Sequence, residues 1–172
     1  MMICSLKNYK GVPELFDIAA ILLRREDIRF TLVLNAEQAE INVLLAGITI
    51  PDNITLFPRQ ANVVPFYEKA NLLLNLSRPD ECIETFGLTI LEGMAHGIPA
   101  IAPPVGGPTE IVRDGREGLL ISCYETQKIA DAIIQLSEDP ELYLHLARNA
   151  QARAKDFSLK NFEKKIISIL EK

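Results

Sequence analysis

Short apolar runs rich in β-branched and aliphatic residues alternate along the chain with longer stretches whose apolar residues recur every three or four positions. Buried parallel strands and amphipathic crossover helices leave these two signatures, so the alternation predicts successive βα units. Six strands are predicted, near Met2 to Leu6, Phe30 to Leu34, Ile54 to Phe57, Leu72 to Leu76, Ala100 to Ala102 and Leu119 to Ile121. The first crossover is the helix Val12 to Arg25, where Pro13 suits a first helical turn and Leu15, Ile18, Ala19, Leu22 and Leu23 recur at helical spacing. Ala36 to Ala46, Val63 to Lys69, Gly87 to His96, Thr109 to Arg113 and Gln127 to Ser137 supply the later helices, with Gly or Pro punctuating most exits. The predicted fold class is α/β, a doubly wound, Rossmann-like parallel sheet of six strands with helices on both faces.

Two helices close the chain. Asp139 and Pro140 suit the N-cap and first position of one, and Ser158 the N-cap of the other. In the last helix Leu159, Phe162, Ile166, Ile169 and Leu170 form one apolar face, which must pack on something. No repeat, low-complexity tract or Pro/Gly/Ser-rich linker interrupts the pattern, so residues 1–172 read as a single domain.

Composition narrows the functions. A net charge of −5, from 18 basic and 23 acidic residues without a long run, gives no electrostatic footprint for a nucleic-acid backbone. No apolar run approaches the roughly 18 to 20 residues needed to cross a bilayer. Cys4, Cys82 and Cys123 are an odd set without CxxC spacing, and no signal-peptide pattern opens the chain, which favours a reducing cytoplasm. His96 and His145 are the only histidines and stand apart, so no metal site is expected. His96 precedes Gly97 at a helix end, where its ring can serve the last carbonyls.

Open α/β sheets bind ligands beyond the carboxyl ends of their strands, where helix N-termini offer free amides to anions. After the first strand, Lys7-Asn8-Tyr9-Lys10-Gly11 places two ammonium groups before a helix, a candidate phosphate site or a merely solvated loop. The chain carries neither GxGxxG nor GxxxxGK[ST], so it offers neither a dehydrogenase dinucleotide loop nor a triphosphatase P-loop, and those functions fall sharply. The strongest signal follows the fourth strand, from Glu84 to Pro99, where a loop carboxylate leads into an apolar helix. With a helix start near Phe86 or Gly87, the amides of Phe86, Gly87 and Leu88 point into the cleft, and Thr89 adds a hydroxyl one turn in. Glu92 is flanked by Leu88, Ile90, Leu91, Met94 and Ala95, which predicts a buried carboxylate in need of a partner. Vicinal ribose hydroxyls would satisfy it, and so would a structural salt bridge. The glycines of Pro103 to Pro108 could admit a ligand or simply turn the chain, whereas turn chemistry explains Asp114-Gly115.

Lys10-Gly11, Glu84-x7-Glu92 around Phe86-Gly87, Gly97-Ile98-Pro99, Gly106-Gly107-x2-Glu110 and Asp114-Gly115-x2-Gly118 occur in that order. The combination closely resembles the C-terminal domain of the group one glycosyltransferases, also called glycosyltransferase family four, over about Met2 to Asp156. The resemblance implies the C-terminal half of a two-domain GT-B architecture, retention of anomeric configuration, no metal requirement and a nucleoside diphosphate sugar as donor. It also implies an acceptor-binding domain, absent from this chain, toward which residues 158–172 cross back.

By the same resemblance Glu84 contacts the donor sugar, Glu92 the ribose, and the amides of Phe86, Gly87 and Leu88 the sugar or diphosphate. Lys10 neutralises the diphosphate, and Arg59, after the third strand, neighbours the nucleobase. Ser5 stands where the family usually has an arginine, so half of the cationic clamp is absent or is supplied by Lys7. The family association further suggests surface polysaccharide synthesis in the cytoplasm, with peripheral attachment to the inner face of the cell membrane. Two other readings stay open: a nucleotide-sugar-binding module without transfer, and a fragment of a nucleotide-sugar epimerase of related fold. A retaining glycoside hydrolase fits less well, because Glu84 and Glu92 are placed to grip two parts of one ligand rather than to flank one bond. An isolated domain could also dimerise through the Leu159 to Leu170 face.

Overall fold

A computed structural model describes residues 1–171. Six parallel strands are present: β1 (Met2–Ser5), β2 (Phe30–Asn35), β3 (Ile54–Phe57), β4 (Leu73–Leu74), β5 (Ala100–Ala102) and β6 (Gly118–Leu120). They form two three-stranded sheets, β1-β2-β3 and β4-β5-β6. Two bonds cross the seam, from Leu74 N–H to the carbonyl of Met1 at 2.8 Å and from the Met1 amino group to the carbonyl of Leu72 at 2.7 Å. They set the overall order β3-β2-β1-β4-β5-β6, with the reversal between β1 and β4. The single continuous sheet expected from the sequence is thus nearly divided, because β4 keeps only two of the five residues expected of it. The chain beyond Leu74 turns into the site instead of continuing the ladder.

The helices are α1 (Val12–Ile21), α2 (Gln38–Leu44), α3 (Val64–Tyr67), α4 (Leu88–Ala95), α5 (Pro108–Ile111), α6 (Thr126–Glu138), α7 (Pro140–Ala154) and α8 (Leu159–Leu170). Successive strand residues point to opposite faces, and here they feed two separate cores. Leu74 and Ile101 pack with Ile18, Leu32 and Ile129 on one side. Leu73, Ala100 and Ala102 pack with Ile90, Met94 and Ala150 on the other. Helices therefore cover both faces, as a doubly wound sheet requires.

Side chains cap two of the helices, with a Glu37/Glu40 capping box on α2 and Asp139 on α7. The carboxylate of Asp139 caps α7 by accepting from Leu142 N–H at 2.9 Å, with Pro140 at the first position. Asp139→Ala is expected to cost about 1 kcal/mol of stability, read as a shift in the urea midpoint at unchanged slope. Ser158 holds the N-cap position of α8, but its hydroxyl makes no capping bond. None of the α8 side chains is buried, and Leu159, Phe162, Ile169 and Leu170 are all exposed. Lys172, the last residue of the expected 158–172 segment, lies outside the described residues.

Candidate functional site

The cleft opens where β1 and β4 diverge. A volume of about 310 Å³ lies there, lined by the ends of both strands, by Lys10, and by Glu84 through Thr89. A larger hollow of about 740 Å³ sits near the opposite, amino-terminal ends of β1, β2 and β4, between residues such as Phe30, Leu72 and Leu136. The smaller space is the better site. It joins the Lys10 and Glu84 charges to a helix start at the carboxyl ends of the strands, whereas the larger one lies at their amino-terminal ends.

Two loops meet across the cleft. After β1, a 3₁₀ turn over Asn8–Lys10 ends at Gly11, whose φ of 79° brings the chain into α1. A Cβ at Gly11 would lie 2.1 Å from the carbonyl oxygen of Leu76, so only glycine lets the two loops approach this closely. Lys10 Nζ consequently reaches Glu84 Oε2 at 2.7 Å and lies 3.4 Å from Ser77 Oγ. Both charged side chains of this pair are about one-fifth exposed. Ser77 is itself buried, and its N–H donates to Asn75 Oδ1 at 3.1 Å, which shapes the loop after β4. Cys4 also lines the cleft, where burial pushes its thiol up to about 12, partly offset by the Lys10 charge. The thiol is neutral beside the ion pair.

Glu84 is fixed from behind. Its carbonyl accepts from Gly107 N–H at 2.8 Å. A Cβ at Gly106 would stand 2.6 Å from the same oxygen, and one at Gly107 2.4 Å from the carbonyl oxygen of Thr85. The glycine pair therefore admits the Glu84 loop rather than a ligand. Asp114-Gly115 is a turn as expected, with Asp114 Oδ1 accepting from Leu120 N–H at 2.8 Å. Beyond that turn the fully buried Glu117 is bound by the Arg113 guanidinium and N–H. Burial pushes the Glu117 carboxyl up, but these bonds outweigh it and hold it below the usual range.

The helix start differs from expectation by one or two residues. Gly87, at φ 95°, is the N-cap, and α4 begins at Leu88. Ile90 and Leu91 N–H are the first to close back on Gly87 O, at 3.0 and 3.2 Å. The amides of Leu88 and Thr89 thus precede the first helical bond and lie beside the cleft, together with those of Phe86 and Gly87 in the preceding loop. Phe86 is 40% exposed and packs edge-on against Phe157, with ring centroids 6.2 Å apart.

Glu92 requires a correction. It is exposed, not buried. On a helix, residues three and four apart share a face, so Ile90, Gly93 and Met94 turn to the core while Leu88 and Glu92 share the opposite side. The expectation counted neighbours in sequence instead of neighbours on the helix. One turn beyond Leu88, Glu92 Oε2 accepts from Tyr67 Oη at 2.7 Å, and His96 Nδ1 lies 2.9 Å from the Glu92 carbonyl, so the imidazole serves a helix-end carbonyl.

Three expected residues stand outside the cleft lining: Glu92, one turn beyond Leu88, Lys7 and Arg59. Lys7 is exposed and outside its lining. Arg59 is held by Asn35 Oδ1 at 2.8 Å and by Glu37 Oε1 at 3.2 Å, beyond β2 and β3. Ser5 lines the cleft, and Lys10 is the only basic residue among the described lining residues. The sequence reading missed Tyr67, Asn75 and Ser77. A polar tip on a buried tyrosine signals that some partner exists, but not which one. Among the described residues, no three His, Cys, Asp or Glu side chains cluster to hold a metal, and no helix is long and apolar enough to cross a membrane.

Comparison with known proteins identifies the family and the fold. The family described as glycosyl transferases group 1 matches residues 1–153. N-acetyl-alpha-D-glucosaminyl L-malate synthase of Bacillus anthracis is 32% identical over 98% of this chain and 43% of its own length. The chain thus spans less than half of that relative. Among solved structures, Anabaena Alr3699/HepE in complex with UDP-glucose superposes with a TM-score of 0.79 at 25% identity, covering 99% of this chain and 48% of that one. The C-terminal domain of the group 1 family protein LpcC from Francisella tularensis superposes at 0.73 and 23% identity, covering 90% of this chain and 83% of that one. On sequence and fold together, this chain belongs to the group 1 glycosyl transferases, as an α/β unit the size of their C-terminal domain.

Proposed function

We propose that this chain binds a nucleoside diphosphate sugar and forms the donor half of a retaining glycosyltransferase. The observation that carries the reading is the Lys10–Glu84 pair beside the free amides of α4 at the strand reversal. That arrangement offers a cation and helix-start donors to a diphosphate, and a carboxylate to sugar hydroxyls. Anabaena HepE, solved with UDP-glucose, supports the ligand class.

In the transfer, the bond between the anomeric carbon and the diphosphate oxygen breaks, the acceptor oxygen bonds the same face of the sugar, and the acceptor's hydroxyl proton passes to the departing diphosphate. Negative charge grows on the departing diphosphate. Lys10 Nζ and the amides near Leu88 oppose that charge without reorganising, so they stabilise the transition state more than the ground state. Glu84 holds the sugar, Glu92 takes the ribose, and the nucleobase extends past the cleft toward the loop after β3. No metal is called for in this reading, because Lys10 and the amides provide the positive potential. The acceptor belongs to a second domain, so the chain by itself binds donor without transferring it. Surface polysaccharide or glycoconjugate synthesis at the inner membrane face is the setting we assign to the whole enzyme.

Calorimetric titration of the chain with UDP, GDP and ADP, each free and as sugar conjugates, tests the reading and identifies the base. Saturable binding of one nucleotide is the expected result. Glu92→Ala should weaken that binding by about 2 kcal/mol through lost charge-assisted hydrogen bonds. Equal affinity in a folded variant would remove Glu92 from the site, and failure of every nucleotide to bind the wild-type chain would defeat the donor reading.

A further inference from the structure

Glu92, one helical turn beyond the cleft-lining Leu88, is held by a side chain from the core. Tyr67, whose Oη donates to Glu92 Oε2, is the last residue of α3 and only 2% exposed. Its ring packs in the same apolar cluster as Ile90 and Met94. His96 stacks on that ring, with centroids 5.2 Å apart and planes 16° from parallel. The phenol is thus confined by the core and by an imidazole, and its hydroxyl has one direction in which to donate. Burial, and then the bond to Glu92, push the phenol well above its ordinary value, so it keeps its proton.

A glutamate on an exposed helix face ordinarily samples many rotamers, and fixing one costs up to about 2 kcal/mol of side-chain entropy. Here that ordering precedes any ligand. Among the described residues Glu92 Oε1 has no hydrogen-bond partner, and a carboxylate retains acceptor capacity after one donor has bound. The carboxylate therefore faces solvent in one orientation, one helical turn from the amides of Leu88 and Thr89.

We infer that Tyr67 is a positioning residue for Glu92: it fixes the carboxylate so that two adjacent ribose hydroxyls are accepted together, which makes the site selective for ribonucleotides. The inference rests on the reading that Glu92 takes the ribose. A phenol that served stability alone would leave that selectivity untouched.

The test is calorimetric binding of UDP, GDP and ADP, each against its 2′,3′-dideoxy counterpart, to the wild-type chain and to Glu92→Ala, Tyr67→Phe and the double variant. Tyr67→Phe retains the packed ring and loses only the hydroxyl. It should lower affinity for the bound ribonucleotide about five- to tenfold, leave the dideoxy form unchanged, and add nothing to Glu92→Ala. Wild-type discrimination in Tyr67→Phe, with discrimination lost in Glu92→Ala, would overturn the positioning role while leaving the ribose reading intact. Equal weakening of both nucleotide forms would overturn it too, as the mark of a general structural part. A wild-type chain that does not distinguish the two forms would defeat the ribose reading and the inference with it. Should Tyr67→Phe fail to fold, His96→Ala decides. It removes the stacked ring from an exposed position, so a selective loss supports the inference, and no change or an unselective loss overturns it.

Discussion

Gly11→Ala is expected to lower the thermal midpoint by about 5 to 15 °C, corresponding to roughly 2–5 kcal/mol for a chain of this length. Two effects combine. The residue sits at φ 79°, which costs an L-amino acid about 1–2 kcal/mol. Its Cβ would also lie 2.1 Å from the carbonyl oxygen of Leu76 and 2.5 Å from the Leu76 Cβ. Backbone beside β4 cannot swing aside like a flexible side chain, so overpacking adds about 1–3 kcal/mol. Gly47 is the internal control. Its φ of 78° matches, but nothing lies within 4 Å of the Cβ position. Gly47→Ala should therefore show the conformational cost alone. Equal melting shifts in the two variants would mean that the loops after β1 and β4 part freely, and the close approach would then have no energetic role.

Lys10→Ala should reduce affinity for the diphosphate about a hundredfold, or roughly 3 kcal/mol, while leaving affinity for the bare nucleoside within about twofold. The effect exceeds that of a neutral hydrogen bond because of Glu84. In the native cleft the ammonium lies 2.7 Å from that carboxylate, and the two charges cancel. Removing Lys10 deletes the only cation among the described lining residues and also exposes an anion to the phosphates. Both changes act on charge, so the loss should shrink as salt is raised. Calorimetry with the nucleoside and its diphosphate, at two ionic strengths, measures this directly. Equal weakening of both ligands would place Lys10 away from the phosphates.

Ser5 belongs to the same electrostatics. Its position lines the cleft, where a basic residue would have raised the local positive charge. Lys7 does not replace that charge, being exposed and outside the lining. In the proposed site a single lysine and the α4 amides would face the diphosphate, which is why the Lys10 substitution is expected to have so large an effect.

The strands and most helices were legible from local pattern, because burial on a strand or helix face imposes its period on the sequence. Lys10 and Glu84 were legible too, each as a charged residue in the loop just before a helix. Their bond to one another was not, since 74 positions separate them and no local period spans that distance. Glu92 was misjudged for a related reason. Apolar neighbours in sequence suggested burial, but the helix turns Ile90 and Met94 inward and Glu92 outward. Arg59 follows the same rule. A strand-end arginine reads as a cleft residue until Asn35 and Glu37 hold it elsewhere.

By itself, then, the sequence determined the βα alternation, the glycine at position 11, the amide-bearing start of α4 and the charged residues at the strand ends. All are short-range consequences of side-chain size, period and backbone freedom. Tertiary structure alone decided that β4 would keep two paired residues, that Gly106 and Gly107 would seat the Glu84 loop, and that Tyr67 would restrain Glu92 across 25 positions. Those outcomes depend on which loops and faces meet once the two cores close, and packing settles that jointly for residues far apart in the chain.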